Sequence, residues 1–293
     1  MKLKFSGVIP PMLTPLTAHR DVDRDGIHRL AGHLLENGVS GIFVLGTSGE
    51  GPWLTLEQSR VIVQESVAAV DGQIPVLAGV LQPGTRQALE TVEVVYKAGA
   101  DAIVVTTPYY YECDEATLRH HFQTIIEQSP LPVVFYNIPS KTHHPLTNNV
   151  VQEFISEPKV IGLKNSSENF EDFTQFMQLK EIRPDFSVMQ GAERLSVPAL
   201  RTGADGLVSG LSNLVPDIFR RMLEYARQGQ FDQAQTLQNR VEKLWFLHTY
   251  GHWLVCLKYA ASLLHLCPPH TLAFHDELPP ASRRAIEALV QEI

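Results

Sequence analysis

Residues 132–164 read PVVFYNIPSKTHHPLTNNVVQEFISEPKVIGLK. Two apolar runs, Pro132–Tyr136 and Lys159–Leu163, stand at the ends of this stretch, rich in valine and isoleucine and without polar alternation. A strand wetted on one face alternates apolar with polar residues, whereas a continuous apolar run suits a strand covered on both faces, as in a parallel sheet. The runs start at residues 132 and 159, an interval long enough for a strand and a crossover helix.

The same unit recurs on either side. Gly7–Ile9, Gly41–Leu45, Pro75–Gly79, Ala102–Thr106, Phe186–Met189 and Gly206–Ser209 complete a set of runs of the same kind. Between them lie segments of helical period. Asp25–Asn37 puts Ile27, Leu30, Ala31, Leu34 and Leu35 on one stripe and stops at Gly38. Thr55–Val70 opens with Thr55 and Gln58 at capping-box spacing, and Asp114–Gln128 opens with an acidic pair. Eight strand–helix units in succession predict a (β/α)8 TIM barrel, with an open doubly wound sheet as the competitor. No G-x-G-x-x-G follows the first run, which counts against the competitor.

From about Val215 the pattern is helical only: Pro216–Gln228, Phe231–Leu247, Trp253–Leu266 and Pro280–Ile293. The first closes the barrel and the other three form a C-terminal extension, giving expected units of 1–228 and 229–293. The extension reads as bracing or an oligomer surface, because barrel chemistry lies at strand ends.

Composition sets outer limits. Of 293 residues, 44% are hydrophobic and 19% charged, the balance of a folded globular chain. The net charge of −8, with no Lys/Arg run, disfavours nucleic acid as a partner. Three sparse cysteines imply no disulfide framework and fit a reducing compartment. Gly7, Pro10 and Pro11 interrupt the apolar stretch after Met1–Phe5, and Lys258 and His265 interrupt Trp253–Leu266, so neither a targeting signal nor a membrane span is expected. The expectation is a soluble, cytoplasmic protein.

Barrel chemistry concentrates just past the C-terminal ends of the strands. Those positions hold Gly46-Thr47-Ser48-Gly49-Glu50, Thr107-Pro108-Tyr109-Tyr110, Tyr136-Asn137, Lys164-Asn165-Ser166, Gly191 and Ser209-Gly210. Lys164 is either a strand-end lysine that snorkels to water or a buried amine, and burial favours the neutral, nucleophilic form. Tyr136, on the neighbouring run, is either an ordinary strand aromatic or a proton carrier for the same mouth. The glycine-bounded loop 46–50 is either a polar turn or a cradle for a carboxylate or oxyanion. No Asp/Glu/His trio at these ends points to a divalent metal.

The combination GTSGE, TPYYY, YNIP and GLK, in this order and spacing, resembles the dihydrodipicolinate synthase / N-acetylneuraminate lyase family, the pyruvate-dependent class I aldolases and lyases. The resemblance covers essentially the whole chain. It implies that Lys164 attacks the ketone of pyruvate or another 2-oxo acid, and that Tyr136 shuttles protons. It further implies that Thr47 and Ser48 hold the carboxylate and that Thr47 links Tyr136 to Tyr110. In much of the family the tyrosine matching Tyr110 comes from a neighbouring subunit, which implies a homodimer or a dimer of dimers (a homotetramer). The covalent imine on Lys164 acts as the electron sink, so neither metal nor organic cofactor is expected.

The match departs where the second substrate should lie. The synthases have an arginine after the YNIP-like motif; here Lys141-Thr142-His143 follows, and lysine lacks the bidentate fork. Their asparagine-proline-rich stretch before a C-terminal lysine is here His252-Trp253-Leu254-Val255-Cys256-Leu257-Lys258. Where sialic acid lyases grip sugar hydroxyls, this chain has Glu193-Arg194 and Gly210. Lys141, His143, Glu193 and Arg194 are therefore expected to shape the distal pocket, with Gly191 and Ser209 also counted among the substrate-binding residues.

The preferred expectation is an aldolase for a sugar acid or 4-hydroxy-2-oxo acid, or a related dehydratase, acting on small 2-oxo acid and aldehyde substrates. One alternative is 4-hydroxy-tetrahydrodipicolinate synthase, condensing pyruvate with aspartate semialdehyde in lysine biosynthesis; another is a retired ligand-binding barrel. His248 and His252 have i,i+4 spacing but no third ligand, and the cysteines read as small buried hydrophobes.

Overall fold

A computed structural model describes residues 5–272 and 275–293. The runs become eight parallel strands: β1 (Gly7–Val8), β2 (Ile42–Val44), β3 (Val76–Val80), β4 (Ala102–Thr106), β5 (Val133–Asn137), β6 (Val160–Asn165), β7 (Ser187–Gln190) and β8 (Gly206–Leu207). Each strand from β2 to β7 pairs with the next, and β8 pairs with β1. The ring closes between β1 and β2 through a parallel bridge of Pro11 to Phe43, where the Phe43 N–H donates to the Pro10 carbonyl at 2.9 Å. The result is the expected (β/α)8 TIM barrel with a C-terminal helical extension.

The helices begin where their sequences dictate. Asp23 accepts from the Gly26 N–H ahead of Arg24–Glu36, and Gly38 leaves that helix at φ +70°. Thr55 and Gln58 form a reciprocal capping box on Leu56–Val70, and Asp114 accepts from the Thr117 N–H ahead of Glu115–Gln128. Among the described residues, no helix is long and apolar enough to cross a membrane.

Two cores follow from the period-2 alternation of the strands. Ile42, Val44, Ile103, Val105, Val133 and Phe135 face outward and pack under the helices. Phe43, Leu77, Ala102, Val104, Val134 and Tyr136 face inward and fill the barrel. Strict alternation along β6 would follow outward Val160 with inward Ile161 and leave Lys164 facing outward. A register shift intervenes: Val133 pairs with Val160, but Val134 pairs with Gly162, so Ile161 is an extra residue. Beyond it Leu163 faces the outer core, Tyr136 pairs with Lys164, and the lysine turns inward. This bulge aims the amine.

The C-terminal region packs directly on the barrel. Phe231–Trp245 lies against Pro216–Arg227 and Ser196–Arg201, and Trp253–Leu263 buries Leu254, Val255, Cys256, Leu257 and Lys258. Cys256 and Cys267 are buried, and burial pushes their thiols up to about 11 and about 12, so they remain protonated at neutral pH.

Candidate active site

A cavity of about 560 Å³ opens at the strand ends, lined by Thr47, Ser48, Tyr136, Lys164 and Gly191 among others. Lys164 is 3% exposed. Its Nζ lies 4.1 Å from the centroid of the Tyr136 ring and 5.1 Å from that of Phe43, and no carboxylate pairs with it among the described residues. The bland reading of a strand-end lysine reaching water does not hold. The Tyr136 hydroxyl lies 3.3 Å from the Thr47 hydroxyl, joining β5 to the loop after β2.

Close packing sets this geometry. A Cβ on Gly191 would stand 2.2 Å from Ser166 Oγ, 2.8 Å from Lys164 Cε and 3.2 Å from the Asn165 carbonyl, so glycine alone lets β7 pass this close to the lysine stem. The Gly191 N–H donates to the Asn165 carbonyl at 2.6 Å, locking β7 to β6. In the 46–51 loop, the Thr14 hydroxyl donates to the Gly49 carbonyl at 2.6 Å, and the Glu50 N–H donates to the Thr47 carbonyl at 3.3 Å. Asn137 donates its side-chain amide to Asn165 Oδ1 at 2.8 Å and accepts from the Leu146 N–H, which fixes the chain leaving β5.

The distal residues divide. Glu193 lines the cavity, but its carboxylate is engaged: the Ser209 hydroxyl donates to it at 2.9 Å, the Leu211 N–H at 2.8 Å, and His248 Nε2 lies 3.5 Å away. Burial alone would raise this carboxyl; His248, Leu211 and Ser209 outweigh it and hold the group below the usual carboxylate range. Ser209 thus orients Glu193 and is not among the residues that line the cavity. Arg194 and Lys141 stand at the rim, Arg194 with its guanidinium 5.2 Å from the Trp245 ring and Lys141 with its amine 5.8 Å from Trp253. Neither forms a salt bridge among the described residues.

Two expectations, on His143 and on the extension, need correction. His143, grouped with the distal residues, is the exposed C-cap of the short helix Pro139–Thr142, at φ +59°, and does not line the cavity. Tyr110 is 83% exposed, at φ +84°, packs edge-on against Tyr111 and does not line its own chain's cavity. The chain's own fold does not bring it to Tyr136. The extension does more than brace the barrel: Glu242, Trp245, His248, Trp253 and Leu257 all line the cavity. Its tryptophans could have signalled this, because large aromatics at a wall commonly form ligand surfaces. Ser140, Ser166 and Glu168 are further lining residues with no role assigned from sequence.

The sequence pattern of the Dihydrodipicolinate synthetase family matches residues 4–274. The chain belongs to this family. It is 33% identical to the 4-hydroxy-tetrahydrodipicolinate synthase of Oceanobacillus iheyensis over 239 residues, 82% of this chain and 80% of that protein. Against the same-named protein of Methanocaldococcus jannaschii it is 33% identical, with 81% of each chain covered. Among solved structures, the dihydrodipicolinate synthase of Bacteroides thetaiotaomicron superposes with a TM-score of 0.94 at 30% identity over 100% of both chains. YagE, an E. coli K12 prophage protein of the same family in complex with pyruvate, superposes with a TM-score of 0.93 at 28% identity over 98% of both. As a member of this family the chain is an enzyme, a class I aldolase-type lyase acting on carbon–carbon bonds.

Proposed function

We propose that this enzyme forms an imine between Lys164 and pyruvate and joins the derived enamine to an aldehyde bearing a carboxylate. That is the chemistry of a 4-hydroxy-tetrahydrodipicolinate synthase, with aspartate semialdehyde as acceptor. The observation that carries the proposal is a buried lysine amine beside a phenol on the adjacent strand, the phenol in turn within 3.3 Å of Thr47.

In this reading the Lys164 amine attacks the pyruvate ketone carbon, and the carbinolamine loses water to give an imine. Protonated, the imine nitrogen withdraws electrons, so a proton leaves the methyl carbon and an enamine forms without metal or organic cofactor. The enamine carbon attacks the aldehyde carbon, the aldehyde oxygen takes a proton, and the acceptor's amino group then attacks the imine carbon and expels the Lys164 amine. Tyr136 carries protons to and from these centres, with the Thr47 hydroxyl as its neighbour. Thr47 and Ser48 receive the pyruvate carboxylate. Lys141 and Arg194 face the acceptor's carboxylate, and Gly191 and Glu193 shape the wall between, Glu193 held in place by Ser209. The exposed Tyr110 supports a homodimer or dimer of dimers in which a neighbour's copy completes the proton path. Residues 1–228 are the barrel unit, and 229–293 the extension that closes the acceptor side.

Two observations support the synthase over the sugar-acid aldolase preferred from sequence. The curated relatives at 33% identity carry the synthase name, and His143, one of the residues expected to shape the distal pocket, lies outside the cavity. The sugar-acid reading keeps one observation in its favour: Ser140, Ser166, Glu168 and Glu242 line the cavity and suit a polyhydroxylated acceptor.

The test is to incubate the enzyme with pyruvate, reduce with borohydride and weigh the protein. A pyruvate-sized adduct is expected in the wild type and none in Lys164→Ala; an adduct that survives the substitution overturns the mechanism. A panel of acceptors then separates the readings, with fast turnover of aspartate semialdehyde expected. Turnover confined to polyhydroxylated aldehydes would reverse the order.

A further inference from the structure

We infer that the buried ion pair between Glu50 and Lys258 is a positioning device that sets the pyruvate-binding loop from the C-terminal extension. The inference rests on the imine chemistry proposed above and adds residues that chemistry does not itself name.

Glu50 and Lys258 stand 208 residues apart in the chain, and Glu50 also takes a hydrogen bond from the Leu272 N–H, 222 residues away. Both side chains are 0% exposed. Lys258, on the helix Trp253–Leu263, donates to Glu50 Oε1 and, at 2.6 Å, to the His270 carbonyl. The Leu272 N–H donates to Glu50 Oε2 at 2.7 Å. Each carboxylate oxygen is therefore tied to a different part of the extension.

Glu50 ends the loop that carries Thr47 and Ser48. Its backbone sits at φ +59°, a region that L side chains other than Asn and Asp seldom occupy. Its N–H donates to the Thr47 carbonyl at 3.3 Å, and the next N–H, of Gly51, donates to the Gly46 carbonyl at 3.1 Å. A shift of the Glu50 carboxylate is thus passed through one tight turn to Thr47, whose hydroxyl meets Tyr136.

Stability is a poor reason for such a pair. Desolvating two charges costs about as much as their attraction returns, and well-packed apolar replacements are often neutral or stabilising. What a fully bonded pair supplies is a defined geometry, here between the proposed carboxylate-binding hydroxyls and a helix whose Leu257, the residue before Lys258, lines the cavity. Glu50 and Lys258 touch no reacting atom, so they are positioning residues.

The double variant Glu50→Gln with Lys258→Met removes both charges at similar volume. The expected result is a melting temperature near that of the wild type, with KM for pyruvate raised and the rate of borohydride-trappable imine lowered roughly 10- to 100-fold, as a displacement near 1 Å would give. KM for the aldehyde should stay the same, and the pH profile of kcat should move as the Thr47–Tyr136 contact loosens. Glu50→Asp keeps the charge but shortens the reach by one methylene; it should show the same pattern more weakly, and it decides the matter alone if the double variant fails to fold. Wild-type trapping per folded molecule in the folded variants overturns the inference and leaves the imine reading standing. Absence of any adduct in the wild type removes both.

Discussion

Replacing Gly191 by alanine tests the lysine's surroundings most directly. Gly191 does not have a positive φ, so alanine meets no backbone penalty there, and its methyl group is the whole perturbation. The new Cβ would stand 2.2 Å from Ser166 Oγ and 2.8 Å from Lys164 Cε, where ordinary contacts begin near 3.4 Å. Ser166 can rotate away. The lysine stem must retreat by roughly 0.6 Å if β7 holds its place, and β7 is held by the 2.6 Å hydrogen bond from the Gly191 N–H to the Asn165 carbonyl. Overpacking of this kind costs about 1–3 kcal/mol of stability. A displacement of about 1 Å at a reacting group costs about 100-fold in rate, so a tenfold or greater loss of imine formation is expected. The assay is time-resolved borohydride trapping with pyruvate, read by intact mass, beside a thermal melt. Removing the serine hydroxyl as well, in Ser166→Ala with Gly191→Ala, should recover stability without recovering the trapping rate. Wild-type trapping by Gly191→Ala would refute the steric argument and with it the tight placement of Lys164.

Tyr136→Phe keeps the inner-core packing and deletes the phenol that meets Thr47; turnover should fall by about 10²- to 10⁴-fold, and adding Thr47→Val should cost little more, which steady-state kinetics on the double variant will check. Tyr110→Phe should lower turnover although Tyr110 does not line its own chain's cavity, and mixing it with Lys164→Ala subunits should restore activity if neighbouring chains exchange this residue; no recovery on mixing counts against the shared site. Lys141→Ala should raise KM for an anionic aldehyde while leaving pyruvate trapping unchanged, as measured with a charged and an uncharged acceptor. Burial holds His121 at about 4 against an ordinary value of 6.5. The folded ring therefore stays neutral while the unfolded ring protonates, so stability is intact above about 6.5 and declines as pH falls towards 4, by about 3 kcal/mol at most. His121→Phe should flatten that slope in denaturant melts between pH 7 and 4.5.

The residues that were legible in the sequence are those whose role follows from local rules. Continuous apolar runs predict strands covered on both faces, and the strand ends then point to Tyr136, Lys164 and the 46–50 loop. Thr55 with Gln58, Asp114 and Gly38 mark helix boundaries because caps are satisfied within a few residues. The bulge at Ile161 was not legible. Counting from Val160 by twos sends Lys164 outward, and only the register against β5 reverses it. The same limit explains His143. Its place next to Lys141 in the chain suggested a shared pocket, but a four-residue helix and its left-handed cap turn the two side chains to different surroundings.

The cavity thus has two halves with different origins. The half that would activate pyruvate is built from strand ends fixed by the barrel itself, where a hydrogen-bonded ladder sets each residue's neighbour. The half proposed to take the acceptor is lined by the rim cations and by Trp245, His248 and Trp253, which the extension supplies from far along the chain. An insertion or a changed tilt in the extension would move those rings without disturbing the Tyr136–Lys164 register. The Glu50–Lys258 pair is the link that opposes such independence, because it ties the loop of the first half to the helix of the second. A change in acceptor should therefore be reached most easily through Trp245 and Arg194, which that pair does not restrain, and least easily along Leu257 and Lys258, where any shift is felt at Thr47.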